Sequence, residues 1–250
     1  MEAIIRLRGL YKVYRLGEEK LRALDGVDLD IYPGEFLCIV GRSGSGKSTL
    51  LNMMAGLEKP TRGAVQIAGE RLEKMSEAQL VRFRLEHVGF IFQQFNLFAS
   101  MNALENVTMP LLYRGVPPKA RKTMALEALK TLGLLSHKGH KPAQMSGGQQ
   151  QRVGIARALV SRPEIVFADE PTGNLDSRTS DEILGIIQGA ARESGSTLVM
   201  VTHDSSIAER ADRVVRLLDG KVIEIIENKR DYEQKAEQNN GAEPKEELPA

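Results

Sequence analysis

The chain has 250 residues, of which 42% are hydrophobic and 27% are charged, and its formal net charge is +1. This composition is ordinary for a globular protein with one large α/β domain or two small ones. The balanced charge and the scarcity of aromatic residues argue against nucleic-acid binding. The sequence has no signal-peptide pattern and no apolar run near the ~18 residues of a membrane span, so we expect any membrane role to depend on a partner protein.

The N-terminal segment predicts strands. Residues 4–8 and 10–14 are strand candidates, and a Gly-Glu-Glu turn follows them. Residues 27–31 alternate apolar and acidic side chains, which is the period of a half-buried strand. Residues 65–67, with the sequence Val-Gln-Ile, are another short strand candidate after a turn. We therefore predict an antiparallel β subdomain around the apolar strand at residues 36–40.

The middle of the chain predicts helices. Residues 76–79 match the capping-box pattern of a helix start. Residues 88–92 are an apolar run that ends at Gln93 and indicates a buried strand. Residues 103–145 then carry apolar side chains at helical spacing, for which core packing is the simplest explanation. We interpret the region from about 98 to 150 as a helical subdomain inserted into an α/β core.

The second half of the chain alternates helical and strand patterns, which indicates a mostly parallel sheet. Asp219-Gly220, between the last two apolar runs, is a hairpin signal. We predict an α/β domain over residues 1–227 and, because residues 228–250 are polar and charged, a disordered tail. The predicted elements are helices at 146–160 and 180–193 and strands at 165–168, 198–201, 213–218 and 221–226.

A glycine-rich stretch between a predicted strand and a predicted helix is the strongest functional signal. Glycines let backbone N–H groups contact phosphate oxygens, and a helix N-terminus adds a partial positive charge. Lys47 can reach the β- and γ-phosphates of a nucleotide, and the Ser48 hydroxyl can bind Mg²⁺. A flexible surface loop is the alternative, but the position between two buried elements disfavours it. The stretch consists of Gly41, Arg42, Ser43, Gly44, Ser45, Gly46, Lys47, Ser48 and Thr49.

Two carboxylates, Asp169 and Glu170, follow the apolar strand at residues 165–168. The carboxyl ends of parallel strands line the ligand crevice of an open α/β sheet. We therefore expect Asp169 near the metal held by Ser48, and Glu170 near an attacking water. Surface acids at a strand end are the alternative, which the phosphate loop upstream makes the weaker one.

Several further residues have both a functional and a structural interpretation. Gln93 could contact metal or water, or be a surface glutamine. His203 could contact a γ-phosphate or cap its strand, and Tyr14 could stack on an adenine or pack on a sheet. A second glycine pair at a helix start could form another anion site or an ordinary N-cap. Its residues are Ser146, Gly147, Gly148 and Gln149.

The single cysteine and the other histidines have structural interpretations only. Cys38 is interpreted as a small buried hydrophobic residue, and a lone cysteine suits a reducing compartment. His87, His137 and His140 are not at strand ends, and we interpret them as solvated.

The order of these motifs resembles the ATP-binding subunit of ABC transporters. The order is phosphate loop, strand-end Gln93, helical insert, Ser-Gly-Gly-Gln, Asp-Glu, Asn-Leu-Asp and His203. The resemblance covers about residues 3–226, and the details at 92–97, 103–107 and 169–177 are similar to the branch of macrolide exporters and lipoprotein-release ATPases, the MacB/LolD type. It implies an ABC ATPase fold, which is a P-loop NTPase core with a mostly parallel sheet, an antiparallel β subdomain and a helical insert.

The resemblance also implies a role for each site residue. Residues 41–49 would be the Walker A loop, with Lys47 on the phosphates and Ser48 on Mg²⁺. Asp169 would be the Walker B acid on the metal side, and Glu170 would be the catalytic base.

The other implied roles connect the nucleotide to partners. Tyr14 would stack on the adenine, His203 would be the switch histidine, and Gln93 would link the metal and attacking water to a membrane partner. Residues 146–149 would be the family signature, which contacts the ATP bound by another subunit. Asp176 would belong to the D-loop across that interface.

The implied cofactors are ATP and Mg²⁺, and the implied partners are a second ATP-binding subunit, in a homodimer, and an integral membrane permease. The protein would lie at the cytoplasmic face of the membrane, held by the permease without inserting directly. One alternative is an ATPase of a regulatory membrane complex such as the cell-division wall-hydrolase activator. Another is a soluble ABC ATPase of translation or repair, which the single cassette disfavours. The sequence does not identify the permease, its substrate or the role of the tail, and it does not decide between a homodimer and a heterodimer of ATPase subunits.

Overall fold

The computed structural model describes residues 2–228, and the predicted tail lies outside them from residue 229 onward. Its strands are β1 (Ile5–Leu16), β2 (Glu19–Ile31), β3 (Phe36–Val40), β4 (Arg62–Ile67), β5 (Glu70–Arg71), β6 (Val88–Ile91), β7 (Ile165–Asp169), β8 (Thr197–Thr202), β9 (Arg213–Leu218) and β10 (Lys221–Glu227). Its α-helices are α1 (Lys47–Met54), α2 (Glu77–His87), α3 (Ala103–Tyr113), α4 (Pro118–Thr131), α5 (Gly147–Leu159), α6 (Ser177–Ser194) and α7 (Ser205–Ala208).

The strands form two sheets. The larger sheet has the order β10-β9-β3-β8-β7-β6, and its neighbours pair in parallel except for β9 and β10. The smaller sheet has the order β2-β1-β4-β5 and is antiparallel. The predicted mostly parallel sheet and antiparallel β subdomain are therefore confirmed.

The N-terminal strands are longer than the sequence indicated. The sequence predicts two strands at residues 4–8 and 10–14, but residues 5–16 form the single strand β1, whose pairing with β2 shifts register between Leu7 and Leu10. Gly9, at a φ of +51°, lies at this irregularity, and pairing resumes beyond it. β2 begins well before residue 27 because its first residues pair with β1 although they are exposed and lack an apolar period.

The predicted helical region at residues 103–145 is less continuous than its composition suggested. It contains α3 and α4, followed by short 3₁₀ turns at Leu135–His137 and Pro142–Gln144. Gly133 follows α4 with a φ of +71°, a conformation that commonly ends a helix. Within residues 2–228, no helix combines the length and the apolar character that crossing a membrane requires.

Side-chain caps determine where several helices begin. The hydroxyl of Ser76 accepts a hydrogen bond from the N–H of Gln79, which confirms the predicted capping box of α2. Asp176 caps α6 in the same way, by accepting from the N–H of Thr179. This cap explains why α6 begins at Ser177 and not at the predicted residue 180.

The central strands place the ends of three segments at one edge of the sheet. β3, β7 and β8 are almost entirely buried, as expected for parallel strands covered on both faces. Cys38 on β3 is fully buried, as predicted. Because the three strands run parallel and in register, Val40, Asp169 and Thr202 all lie at the carboxyl edge. The glycine-rich loop starts from the same edge.

The pairing of β1 with β4 leaves no room for a side chain at Gly63. Its φ is +96°, and a Cβ there would overlap the carbonyl oxygens of Arg8 and Gly9. We expect Gly63→Ala to lower the free energy of unfolding by about 3 kcal/mol, because backbone strain and overlap with backbone atoms add. Gly115 has a φ of +73°, but no atom of the described residues lies within 4 Å of its Cβ position. Gly115→Ala should therefore lower the free energy of unfolding by only about 1 kcal/mol. Urea unfolding of both variants measures the difference, and equal losses would contradict the overlap.

Candidate functional site

A cleft of about 670 Å³ lies over the glycine-rich loop that joins β3 to α1. A Cβ on Gly41 would overlap the carbonyl oxygen of Leu217, and a Cβ on Gly46 would overlap that of Ala23. Gly46 also has a φ of +100° and forms the N-cap of α1, so the loop requires glycine there. The cleft brings together these predicted site residues: Tyr14, Ser43, Gly44, Gly46, Lys47, Ser48, Thr49, Glu170 and His203.

Lys47 supplies a positive charge at the start of α1. The residue is only 6% exposed, and its Nζ donates a hydrogen bond to the carbonyl oxygen of Arg42 at 3.0 Å. Ser45, in the same loop, is buried, and its Oγ has no hydrogen-bond partner within residues 2–228. A cation, an unpaired hydroxyl and a helix N-terminus together suit the binding of phosphate oxygens.

Ser48, which lines the cleft, is hydrogen-bonded to Asp169, and the sequence placed these two residues near each other. The Ser48 hydroxyl donates to Oδ1 of Asp169 at 3.0 Å. Burial raises the pKa of Asp169 above its ordinary value, the hydrogen bond from Ser48 opposes the rise, and the neighbouring Glu170 adds to it. One hydroxyl and one carboxylate are the oxygen ligands that Mg²⁺ accepts beside phosphates and waters, so this pair fits that ion. A bound cation would also favour the carboxylate form that burial disfavours.

Glu170 and His203 lie next to each other at the carboxyl edge of the sheet. His203 Nδ1 is 3.4 Å from Oε2 of Glu170, and both residues line the cleft. Glu170 has a φ of +43°, and its N–H donates to the carbonyl oxygen of Val201. The left-handed backbone turns the chain directly after Asp169, so adjacent carboxylates take up separate positions.

Tyr14 also lines the cleft. Its hydroxyl donates to Oε2 of Glu58 at 2.6 Å, and Lys12 Nζ lies 5.0 Å from the ring centroid. Burial raises the pKa of the Tyr14 hydroxyl, and its contact with Glu58 adds to the shift. The tyrosine is therefore held at the cleft by packing and hydrogen bonding, in a position where an aromatic base could reach it.

Three residues near the start of β2 also line the cleft, and no sequence motif indicated them. They are Leu21, Arg22 and Ala23. Their segment is mostly exposed and carries no apolar period. The turn after residue 14 could have indicated them, because the strand that follows a hairpin turn pairs with the strand before it from its first residues.

Gln93 does not line the cleft, although it follows β6 as predicted. Its Nε2 lies against Gly173, where a Cβ would come within 2.8 Å of it, and its carbonyl oxygen accepts from Nδ2 of Asn174 at 3.0 Å. The residue therefore contacts the segment that follows Glu170, and within residues 2–228 its side chain makes no hydrogen bond with Ser48.

The predicted signature lies apart from the cleft but beside the predicted D-loop. Ser146 caps α5 in a reciprocal capping box with Gln149. Gly147 lies against Leu175, and a Cβ on Gly148 would come within 2.9 Å of the Thr179 methyl group. Asp176 is the N-cap of α6, and its hydrogen bonds with Thr179 lower its pKa. These two motifs form one surface, and neither lines the cleft of its own chain.

The interpretation of three histidines as solvated was wrong. His87 is half-buried, stacks on Phe83 at a centroid distance of 4.9 Å, and has Nδ1 3.0 Å from a carboxylate oxygen of Glu164. His137 and His140 are also half-buried, with ring centroids 5.1 Å apart. His137 Nε2 accepts from the side-chain amide of Gln149 at 3.2 Å. His137 ends the 3₁₀ turn at Leu135–His137, and its contact with Gln149 at the start of α5 removes its ring from full solvent contact.

Comparison with known proteins agrees with this geometry. The family model described as ABC transporter matches residues 24–173. The macrolide export ATP-binding/permease protein MacB 1/2 of Paracoccus denitrificans is 49% identical over 88% of this chain, and the chain spans only 33% of that relative. The lipoprotein-releasing system ATP-binding protein LolD of Chromohalobacter salexigens is 46% identical over 89% of this chain and 94% of its own length.

The fold is similar to that of a solved dimeric structure. The ATP-binding cassette MJ0796, in a post-hydrolysis dimer bound to ADP and Pi, aligns with a TM-score of 0.84 and 43% identity. The alignment covers 90% of this chain and 99% of that one.

Proposed function

Because this chain belongs to the ABC transporter family, as an ATP-binding subunit of the MacB/LolD type, we propose that it hydrolyses ATP in a dimer and powers a separate membrane permease. The observation that carries this proposal is that Lys47, Ser48 and Glu170 line one cleft and that Asp169 accepts a hydrogen bond from Ser48. Phosphoryl transfer depends mainly on positioning and charge stabilisation, and these groups supply both.

The residues of the cleft would divide the chemistry among them. Lys47 and the loop amides would hold the phosphates, and Ser48 with Asp169 would hold Mg²⁺. Mg²⁺ would neutralise charge on the phosphate oxygens when bound. Glu170 would accept a proton from the attacking water, and His203, 3.4 Å away, would orient that carboxylate and contact the γ-phosphate. Tyr14 would stack on the adenine.

A second copy of the chain would complete each site. The signature and Asp176 form a surface outside their own cleft, with the N-terminus of α5 at its centre. A helix N-terminus carrying two glycines is a suitable contact for the phosphates of a nucleotide bound elsewhere. In a head-to-tail homodimer this surface would cover the ATP held by the partner, so each ATP would lie between two subunits.

The permease would bind a second groove, which is lined by residues of α2, β6 and α3. This docking groove, of about 430 Å³, is lined by Val81, Phe90, Phe92, Phe98 and Tyr113 among others. Phe98 is 49% exposed and Tyr113 is 65% exposed, which is costly in water and typical of an interaction surface. The names of the MacB relatives join an ATP-binding part to a permease part in one chain. We assign the groove to a cytoplasmic segment of an integral membrane permease, which would hold this protein at the cytoplasmic face of the membrane.

We expect Tyr113→Asp to remove the membrane partner, because a carboxylate in the docking groove would lose its hydration on binding. Affinity purification from membranes in mild detergent, with mass spectrometry of the co-purified chains, measures this. Leu135→Asp is the matched control, since Leu135 is 41% exposed and lies outside the groove. Equal recovery of an integral membrane protein with both variants would contradict the assignment.

The co-purified chain would also separate transport from the alternatives. A permease with a large extracytoplasmic domain supports export, whereas a cell-division protein supports a regulatory complex. Phosphate release from ATP, measured with Mg²⁺ and again with EDTA, tests the enzymatic part independently. A well-folded protein that releases no phosphate in either the free or the permease-bound form would overturn it.

A further inference from the structure

Gln151 is a fully buried polar residue near the start of α5, and the proposed chemistry does not use it. It lies two residues beyond the signature. The amphipathic pattern of α5 alone would place a hydrophobic residue at such a buried position. A buried amide that is kept there requires an explanation.

The side chain of Gln151 connects two segments of the site. Its Nε2 donates to the carbonyl oxygen of Pro171 at 2.6 Å and to that of Phe92 at 3.4 Å. Pro171 directly follows Glu170, and Phe92 directly precedes Gln93. Because both neighbours are carbonyl oxygens, the amide nitrogen must face them, which fixes the orientation of the amide.

The oxygen atom of the Gln151 amide lacks a hydrogen bond within residues 2–228. This atom, Oε1, is also buried. An apolar side chain of similar length would avoid this unpaired acceptor. The two donated hydrogen bonds, rather than stability, are therefore the feature that distinguishes glutamine from such a side chain here.

We propose that Gln151 is a positioning residue that sets Glu170 and Gln93 relative to the signature helix. The inference rests on the proposed ATP hydrolysis. When the signature contacts nucleotide on the partner subunit, α5 would be displaced. The Gln151 amide would transmit this displacement to the segments that contain Gln93 and Glu170. The Walker A loop and α1 have no hydrogen bond with Gln151, so nucleotide binding to the cleft does not depend on it.

The test compares Gln151→Met and Gln151→Leu with the wild type. We expect kcat to fall about 10-fold or more while KM stays within about twofold, since the substrate contacts are intact and only the reacting groups are displaced. The melting temperature should change by only a few degrees, because removal of the unpaired Oε1 offsets part of the cost of leaving the Pro171 and Phe92 carbonyl oxygens without this donor. Gln188→Met is the matched control: Gln188 also has a buried, unpaired amide atom, but it lies on α6 outside the cleft.

Each outcome decides the inference. A loss of kcat in both variants, with normal KM and thermal unfolding and a normal control, supports it. An unchanged kcat overturns it, and so does a kcat that falls only in parallel with the melting temperature, which would indicate a structural role. A wild-type protein without ATPase activity would instead contradict the proposed function itself.

Discussion

The variant Glu170→Gln is expected to lose at least about 100-fold in ATP turnover while it still binds ATP, since general-base catalysis contributes about this much or more. Glutamine keeps the size of the side chain but cannot accept the proton of the attacking water. The contact with His203 loses its charge, but the backbone turn at residue 170 does not depend on the side chain. ATP should therefore accumulate unhydrolysed in the closed dimer.

Steady-state phosphate release and nucleotide content measure this result. Glu127→Gln on α4 removes the same charge from an exposed position away from the cleft, and it should have wild-type turnover. Turnover near the wild-type value in Glu170→Gln would show that another group, or no protein group, acts as the base.

Lys47→Ala is expected to raise the dissociation constant for MgATP at least about 10-fold, because a charge-assisted contact with the phosphates is lost. Turnover at ordinary ATP concentrations should fall with it. The fold should tolerate the change, since within residues 2–228 Nζ donates a single hydrogen bond, to the carbonyl oxygen of the exposed loop residue Arg42.

Lys59→Ala is the control for this substitution. Lys59 also donates from Nζ to one backbone carbonyl oxygen, that of Met75, but it does not line the cleft. Titration with a fluorescent ATP analogue should separate the two variants. Equal affinity in both would remove Lys47 from the phosphate site.

Local sequence patterns predicted the parts of the fold that depend on local physics. The glycine spacing at residues 41–49 and the carboxylates at the end of β7 indicated that the loop and the strand end meet, and Ser48 and Asp169 are hydrogen-bonded. Parallel strands share one carboxyl edge, so Ser48 and Asp169 could be paired without knowing the strand order. The strand order β9-β3-β8-β7 could not be predicted, because no local pattern specifies which strands become neighbours.

What the sequence did not predict depends on tertiary contacts. The first residues of β2 are ordered by pairing with β1, not by an apolar period. Gln93 was expected near the metal, yet its amide packs against Gly173. The role inferred for Gln151 depends on two carbonyl oxygens contributed by segments far apart in the chain, and sequence spacing cannot reveal that contact.

The central claim is that each ATP is enclosed by the cleft of one subunit and the signature of another. Size-exclusion chromatography with light scattering of Glu170→Gln, with and without ATP, tests it most directly. We predict a shift from 27.6 kDa to twice that mass on adding ATP, and no shift when Ser146→Arg is combined with Glu170→Gln. Ser76→Arg is the matched control, because Ser76 forms the same capping box on α2 outside the site and should leave the dimer intact. An ATP-dependent dimer that survives Ser146→Arg, or an ATP-bound Glu170→Gln protein that stays monomeric, would contradict the claim.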